Sequence, residues 1–272
     1  MRKFTLTFGV ILLGVTFAFA GPEALPSSGK EMKEVAPAPP TCDFTWSGFY
    51  IGVNGGGGWG DGRTRFTPLP DIGGFFVGAL QPTSLDTDPS GGFGGGQIGF
   101  NWQFGRFVLG AETDFQGSDI SGARVERPVP AALPPTFPDT TFLRSSEDIN
   151  WFGTFRARIG FAPFCRWLIY GTGGLAYGNT DYRGEVNYNA VRGPIIPASV
   201  SETNVGWTGG GGLEFAITHR WTIKAEYLYV DLGDESTTVL APPGFGNRGG
   251  EAVHFHWDTN AHTVKGGINF KF

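Results

Sequence analysis

The chain has 272 residues, of which 17% are charged and 15% aromatic, and its formal net charge is −5 at pH 7. Charged residues are scarcer than the ~25% of an average soluble domain, and the negative balance gives no support for nucleic-acid binding, which favours a basic surface. The 45 glycines exceed the ~7% average share without the regular repeat of collagen. We therefore expect a β-rich protein and no helical bundle.

The chain begins with a predicted secretory signal peptide, residues 1–20. Arg2 and Lys3 supply positive charge, the segment from Phe4 to Phe19 is mainly apolar, and Ala18-Phe19-Ala20 resembles a cleavage site. The apolar segment is shorter than the ~20 residues that a membrane-spanning helix needs. Residues 21–45 are rich in proline and polar residues, which predicts a flexible periplasmic linker. Residues 46–272 are predicted to form the folded domain.

Eight segments of the folded domain alternate apolar and small or polar residues with period two, which predicts β-strands. In the hairpin from Asn204 to Gly233, for example, Trp207 and Leu213 share one face while Gly210 and Glu214 share the other. Its two limbs hold roughly a dozen residues each, longer than the usual ~5–6. Strands of ~9–11 residues with this alternation fit a bilayer-crossing strand whose apolar face meets lipid. The predicted strands are Ser47–Gly60, Phe93–Phe104, Phe107–Gly117, Asp148–Phe161, Trp167–Asn179, the two limbs of Asn204–Gly233, and Ala261–Phe272.

The connections between these strands alternate between long and short. Transmembrane barrels show this asymmetry, with short periplasmic turns and long outer loops. The sequence therefore predicts an all-β fold: an eight-stranded antiparallel up-and-down transmembrane β-barrel with four long outer loops and three short periplasmic turns. Such a barrel closes on itself and leaves no unpaired sheet edge. The long connections are Asp61–Gly92, Ser118–Ser146, Thr180–Thr203 and Asp234–Asn260, and the short ones are Gly105-Arg106, Ala162–Arg166 and His219-Arg220.

The strand sequences resemble a known family over Trp46 to Phe272, with the loops unmatched. The matching segments are WSGFYIGVNGGGGWG, GGQIGFNWQF, VLGAETDFQ, WFGTFRARIGFA, LIYGTGGLAYG, GWTGGGGLEFAI and WTIKAEYLYVDLG. In this order they are similar to the small porin-like outer-membrane β-barrel family that includes outer-membrane immunogenic proteins. The resemblance implies a surface antigen in the outer membrane of Gram-negative bacteria, surrounded by lipid, and it brings no catalytic residues or cofactor. It also implies that the last strand, ending in Phe270 and Phe272, is read by the barrel-assembly machinery.

Charged side chains on the inward face of the predicted barrel are the main candidate site. Charges inside a lipid-embedded barrel must pair with one another or meet water. One interpretation is a network of ion pairs that fills the lumen of a non-enzymatic barrel with a structural or surface role. The alternative is the selectivity lining of a small-solute diffusion porin. Eight strands leave an interior just wide enough for side chains, which favours the filled lumen. The residues are Glu112, Asp114, Glu214, Glu226, Arg156, Arg158, Lys224 and Lys265.

Other patterns give weaker indications of chemistry. His254 and His256 could face the same way as metal ligands, but no partner has a convincing spacing, so we expect neither a metal nor a cofactor. A lipid-modifying enzyme at the rim would need a nucleophile and a base; His262 and several serines are available, but no motif selects them. We therefore expect no enzyme. A further alternative is a soluble eight-stranded ligand-binding barrel, which would place its aromatic residues inside. The sequence does not indicate an oligomeric state.

A disulfide between Cys42 and Cys165 is a further prediction, because the periplasm permits disulfides. Cys42 would lie just below the start of the first strand, and Cys165 lies in a short turn at the same rim. The intervening segment Asp43–Trp46 would then have to cross the barrel mouth. Four residues span at most ~13–14 Å, which is barely sufficient.

Overall fold

The computed structural model describes residues 44–69, 84–126, 142–187, 195–240 and 252–272. The predicted signal peptide, most of the predicted linker and Cys42 lie outside the described residues. No described α-helix is long and apolar enough to cross a membrane. The described strands are β1 (Gly48–Gly60), β2 (Gly62–Leu69), β3 (Ser84–Thr87), β4 (Ser90–Phe104), β5 (Phe107–Glu126), β6 (Phe142–Phe164), β7 (Trp167–Asn187), β8 (Ile195–Ala216), β9 (Trp221–Leu240) and β10 (Ala252–Lys271).

Eight of these strands close into an antiparallel ring. The order is β1-β4-β5-β6-β7-β8-β9-β10, and β10 pairs back onto β1, with Ile51 opposite Phe270. At one end, which we call the turn end, Gly105-Arg106 joins β4 to β5 and Cys165-Arg166 joins β6 to β7. Residues 217–220 join β8 to β9 at the same end. A closed ring pairs its backbone groups internally, which is what a strand-built protein needs in lipid.

The described strands are more numerous and longer than the sequence predicts. The prediction of eight strands matches the ring but omits β2 and β3, which lie in the connection expected at Asp61–Gly92. The expected loop Ser118–Ser146 contains the end of β5 and the start of β6. In the same way, parts of the expected loops Thr180–Thr203 and Asp234–Asn260 are strand. The strands therefore continue well beyond the ring.

Beyond the ring, the strands form two separate sheets, which we call cap sheet 1 and cap sheet 2 and together the cap. Cap sheet 1 consists of the far ends of β5, β6, β7 and β8; cap sheet 2 consists of β9, β10, β2 and β3. Among the described residues, β8 and β9 stop pairing at Trp207 and Asp231, and β4 and β5 stop at Ser90 and Ser121. The two sheets face each other across an apolar cluster. Its members are Phe66, Leu85, Leu143, Tyr182, Val186, Ala198, Val253, Phe255 and Trp257.

The direction of the apolar side chains reverses between the ring and the cap. On β6, Phe155 and Ile159 in the ring point outward and are 58% and 63% exposed, whereas Leu143 and Ile149, on the far side of Trp151, are buried. The register shifts between Ile149 and Trp151 at this boundary. One extra residue in a strand exchanges its two faces. The reversal suits a strand that passes from lipid, which favours apolar side chains outside, into water.

Two belts of outward-facing aromatic residues bound the ring. Near the turn end, Trp167 packs on Phe215 with ring centroids 4.8 Å apart. Near the cap, Trp151 packs between Phe115 and Tyr177, at 5.4 and 6.3 Å. Ten residues separate Trp167 from Tyr177 on β7. At ~3.3 Å per residue and a strand tilt of ~40°, the belts lie ~25 Å apart, the height of the apolar band of an outer-membrane barrel.

Candidate functional site

The eight charged residues identified from the sequence all project into the ring from β5, β6, β8, β9 and β10. Their side chains are at most 3% exposed. The structure brings all eight into one connected group of four carboxylates and four cations. The group arises because each strand alternates strictly, so every second residue faces the lumen. We call it the ionic layer.

Arg156 lies at the centre of the ionic layer. Its guanidinium contacts three carboxylates: Nη2 lies 2.6 Å from Glu112 Oε1 and 3.0 Å from Asp114 Oδ2, and Nη1 lies 2.9 Å from Glu226 Oε1. Nε donates to Thr154 Oγ1 at 2.8 Å, and the same hydroxyl donates to Asp114 Oδ1 at 2.8 Å. The rigid fork of an arginine is suited to such a convergence of oxygens.

Two lysines complete the neutralisation of these carboxylates. Lys224 Nζ lies 2.7 Å from Glu112 Oε1, and Lys265 Nζ lies 2.6 Å from Asp114 Oδ2 and 3.1 Å from Glu226 Oε1. Asp114 and Glu226 each contact both Arg156 and Lys265, and Glu112 contacts Arg156 and Lys224. The contacts therefore tie β5, β6, β9 and β10 together across the lumen.

Arg158 organises the part of the ionic layer nearest the turn end. Nη2 lies 2.7 Å from Glu214 Oε2, Nη1 donates to the Tyr50 hydroxyl at 2.9 Å, and the guanidinium carbon sits 4.1 Å from the Tyr170 ring centroid. The Tyr50 hydroxyl donates to Glu112 Oε2 at 2.7 Å, which links Arg158 back to Glu112. A charge placed over an aromatic face is further stabilised when it is desolvated.

Two lumenal tyrosines, Tyr50 and Tyr170, contact the ionic layer and are not among the residues predicted from the sequence. Tyr170 donates to Glu226 Oε2 at 2.8 Å, as Tyr50 does to Glu112. Their positions in the alternation could have identified them, because Tyr50 lies between the outward-facing Phe49 and Ile51. Aromatic residues of a transmembrane barrel are expected on the lipid face. A tyrosine at an inward position of the alternation therefore indicates a role inside the lumen.

Apolar side chains close the lumen at the turn end. Phe44 and Trp46 are buried, 6% and 2% exposed, and pack with Val108, Leu168 and other inward residues. The backbone N–H of Trp46 donates to Gln103 Oε1 at 2.7 Å. Phe44, which lies within the predicted linker of residues 21–45, thus packs in the barrel mouth. We call Phe44–Trp46 the plug.

Cys165 lies in the turn at the rim of this mouth and is disulfide-bonded. Its predicted partner, Cys42, lies outside the described residues, so the pairing stays a prediction. One residue, Asp43, separates Cys42 from the start of the buried plug. The plug belongs to the same apolar cluster as Leu168 and Ala216, on the strands that adjoin the turn of Cys165 and its neighbour.

Further apolar layers lie between the ionic layer and the cap. They come from inward positions that are nearer the cap. Phe152 is the next inward position beyond Thr154 on β6, and Leu228 is the next beyond Glu226 on β9. One cluster contains Phe93, Ile120, Ile149 and Phe152, and the other contains Ala176, Leu228, Val230 and Leu232. The described lumen is thus a stack in which apolar layers cover both sides of the ionic layer.

Among the described residues, one group of carboxylates has the spacing of a metal site. Oxygens of Glu112, Asp114 and Glu226 lie within 4.8 Å of one another, the spacing of a metal site, but Arg156 and the two lysines occupy the space between them. The histidines considered above all lie on the outer surface of β10. Nδ1 of His254 lies 2.9 Å from Thr238 Oγ1, and Nδ1 of His262 lies 2.7 Å from the Tyr227 hydroxyl.

The closed ring, the two aromatic belts and the outward apolar band define a transmembrane β-barrel. The comparison with family models identifies which one: residues 35–272 match the outer membrane protein beta-barrel domain, and the chain belongs to that family. It is an outer-membrane protein.

Two relatives have similar sequences over most of their length. The 31 kDa outer-membrane immunogenic protein of Brucella melitensis is 35% identical over 236 residues, which cover 86% of this chain and 87% of the relative. The 22 kDa outer membrane protein of Rhizobium leguminosarum is 30% identical over 234 residues, covering 84% and 79%. Among solved structures, OprG of Pseudomonas aeruginosa is 14% identical, with a TM-score of 0.43 over 83% of this chain and 97% of OprG.

Proposed function

We propose that this protein is a non-enzymatic, non-conducting outer-membrane barrel with a structural or surface role in the cell envelope. The observation that carries the proposal is the ionic layer: eight buried charges, four of each sign, that contact one another across the ring. A diffusion porin needs a wet lumen with charges that face water. Here the charges are turned toward each other and covered by apolar layers on both sides.

The surface role is supported by the names of the relatives and by the cap. Two sheets project beyond the aromatic belt on the side away from the short turns, which is the extracellular side in outer-membrane barrels. The Brucella relative is called an immunogenic protein, a name that fits a protein whose outer part is accessible. We infer that the cap presents this protein at the cell surface.

The assembly of the barrel is proposed to depend on its last strand. β10 closes the ring against β1, and Phe270 and Phe272 lie at its turn end, where the Phe272 ring is exposed. An exposed aromatic residue at the periplasmic end is accessible to an assembly factor before the ring closes. The barrel-assembly machinery is therefore the partner we propose.

Solute permeability tests the proposed function. Liposomes that contain the purified protein should exclude small sugars as well as protein-free liposomes do, whereas a general diffusion porin reconstituted in parallel should admit them. The variant Trp46→Ala tests the plug and the ionic layer separately. It removes part of the plug but leaves the ionic layer intact, so liposomes that contain this variant should stay impermeable. Size-dependent sugar uptake through the wild-type protein would contradict the proposal and support the porin.

A further inference from the structure

Glu147 is a buried carboxyl group in the cap. It projects inward from β6, four residues beyond the Trp151 of the aromatic belt, where the outward-facing neighbours Asp148 and Asn150 are polar. Glu147 is 2% exposed, and the charged group that acts on it most is another acid, Asp148, rather than a cation. The carboxyl therefore lies outside the membrane, between the two cap sheets, without a compensating positive charge among the described residues.

Glu147 belongs to a chain of hydrogen bonds that joins the two cap sheets. Thr259 Oγ1, on cap sheet 2, donates to Glu147 Oε1 at 2.6 Å and lies 2.7 Å from the Tyr182 hydroxyl of cap sheet 1. Thr64 and Ser145 form a second bond between the sheets, with their hydroxyl oxygens 2.6 Å apart. Polar contacts at the base of the apolar cluster thus hold the sheets together.

The second carboxyl oxygen of Glu147 lies beside another buried hydroxyl. A side chain at Gly62 would collide with both Glu147 Oε2 and Thr87 Oγ1, which places these two oxygens on the same side of the cap interior. Thr87 is 1% exposed, and its hydroxyl has no well-formed hydrogen bond among the described residues. A protonated Glu147 can donate to this oxygen. An ionised Glu147 can still accept hydrogen bonds from the Thr259 and Thr87 hydroxyls, but no cation among the described residues offsets its charge, and the burial of an unpaired charge is costly.

The surroundings of Glu147 move its titration from the acidic range toward neutral pH. The pKa of Glu147 is raised to about 7: burial raises it most, the hydroxyl of Thr259 lowers it, the neighbouring Asp148 raises it, and the hydroxyl of Thr87 lowers it. Of the strands packed around Glu147, β7 contributes the titratable Tyr182. The charged groups that the other strands carry nearby point outward. They are Arg63 on β2, Asp86 on β3, Asp119 on β5, and His256 and Asp258 on β10.

We propose that Glu147 is a proton-binding site that controls the closure of the cap. With the proton bound, the two sheets close over the apolar cluster; when the proton leaves, the buried carboxylate favours their separation along the unpaired β8–β9 and β3–β5 seams. The inference goes beyond the proposed function, because it concerns the cap and holds whether or not the lumen conducts.

The size of the effect follows from linkage. If the opened cap exposes Glu147 to water, its pKa there returns to the ordinary 4.5. The closed cap binds the proton more tightly than the opened cap, so closure is most stable at low pH and loses stability as the pH rises from about 4.5 to about 7. The opening equilibrium should increase roughly 30-fold between about pH 5.5 and about pH 8.5.

Amide hydrogen exchange of the full-length protein in detergent micelles tests the proposal. Peptides covering residues 142–150, 180–186 and 252–259 report on the cap, and peptides covering 152–161 and 221–229 report on the ring. After correction for the intrinsic effect of pH on exchange, cap peptides of the wild type should lose roughly 30-fold in protection between about pH 5.5 and about pH 8.5. The ring peptides should not change.

The variants assign the effect to one carboxyl group. Glu147→Gln keeps a donor for Thr87 and an acceptor for Thr259 but does not titrate, so its cap should stay protected at both pH values. Glu147→Leu is a second variant in case the amide disturbs folding, and the protection of its cap should also be independent of pH. Glu202→Gln, which removes an exposed carboxyl of cap sheet 1, is the matched control and should behave as the wild type.

Three results would overturn the proposal. The first is a wild-type cap whose protection does not depend on pH. The second is a loss of protection that persists in both Glu147→Gln and Glu147→Leu. The third is an equal loss in the ring peptides, which would show that the whole barrel, and not the cap, responds to pH.

Discussion

Replacement of Arg156 by methionine is the sharpest test of the ionic layer. The substitution keeps much of the side-chain volume and removes the charge that contacts Glu112, Asp114 and Glu226 at 2.6–3.0 Å. Hydrogen bonds to charged groups contribute ~1.5–3 kcal/mol each, so the three lost bonds together set an upper bound on the loss of stability. The lysines that remain offset part of the loss. Breaking a buried pair from one side costs ~3–5 kcal/mol, and we expect the free energy of unfolding to fall by that amount.

Urea-induced unfolding in lipid vesicles, followed by tryptophan fluorescence, measures this loss. Arg144→Met is the matched control, because Arg144 lies on the same strand but is half exposed and pairs with Glu185 at 3.9 Å. Exposed pairs contribute ~0–1 kcal/mol, so the control should unfold almost as the wild type does. Equal stability of Arg156→Met and Arg144→Met would refute the view that the ionic layer holds the ring together.

Three further predictions concern packing, assembly and the disulfide. Gly210→Ala should destabilise the barrel by ~1–3 kcal/mol, because the added methyl group meets a neighbouring carbonyl oxygen, whereas the adjacent outward-facing Gly209→Ala should be tolerated; equal stabilities would contradict this. Deletion of Phe270–Phe272 should leave the chain in the periplasm or degraded, and normal outer-membrane levels on fractionation would disprove the assembly role. Protein made in the periplasm should react with a thiol reagent only after reduction if Cys42 and Cys165 are paired, so two reactive thiols before reduction would exclude the bond.

The membrane-embedded part of this fold could be predicted from the sequence because two constraints act there together. Lipid demands apolar residues outside, and the narrow lumen holds the polar ones, so period-two alternation identifies both faces. The alternation of Arg156 and Arg158 with Phe155 and Ala157 placed the arginines inside without further information. The family resemblance agrees with the same assignment.

The cap could not be predicted by the same reasoning, because the surrounding solvent changes from lipid to water. Along β6, the apolar residues move from outward positions such as Phe155 to inward positions such as Leu143. The shift at Ile149 and Trp151 exchanges the two faces. The single alternation therefore ends at this point, and the sequence of the rest of the strand resembles that of a loop.

The plug escaped prediction for a different reason. Phe44 and Trp46 follow a proline-rich segment and precede the first strand, so no periodicity marks them as buried. Their burial depends on the diameter of the mouth and on the inward Leu168 and Val108. Contacts of this kind join residues far apart in sequence, and only the closed ring brings them together.

Single-channel recording in a planar lipid bilayer tests the closed lumen most directly. With apolar layers on both sides of the ionic layer, insertion of the wild-type protein should produce no stable conductance step in concentrated salt. Paired removal of the central charges, as in Arg156→Ala combined with Glu226→Ala, should keep the lumen neutral while it opens space, and any conductance should appear there first. A large, stable open-channel current through the wild-type protein would contradict the account of a filled barrel.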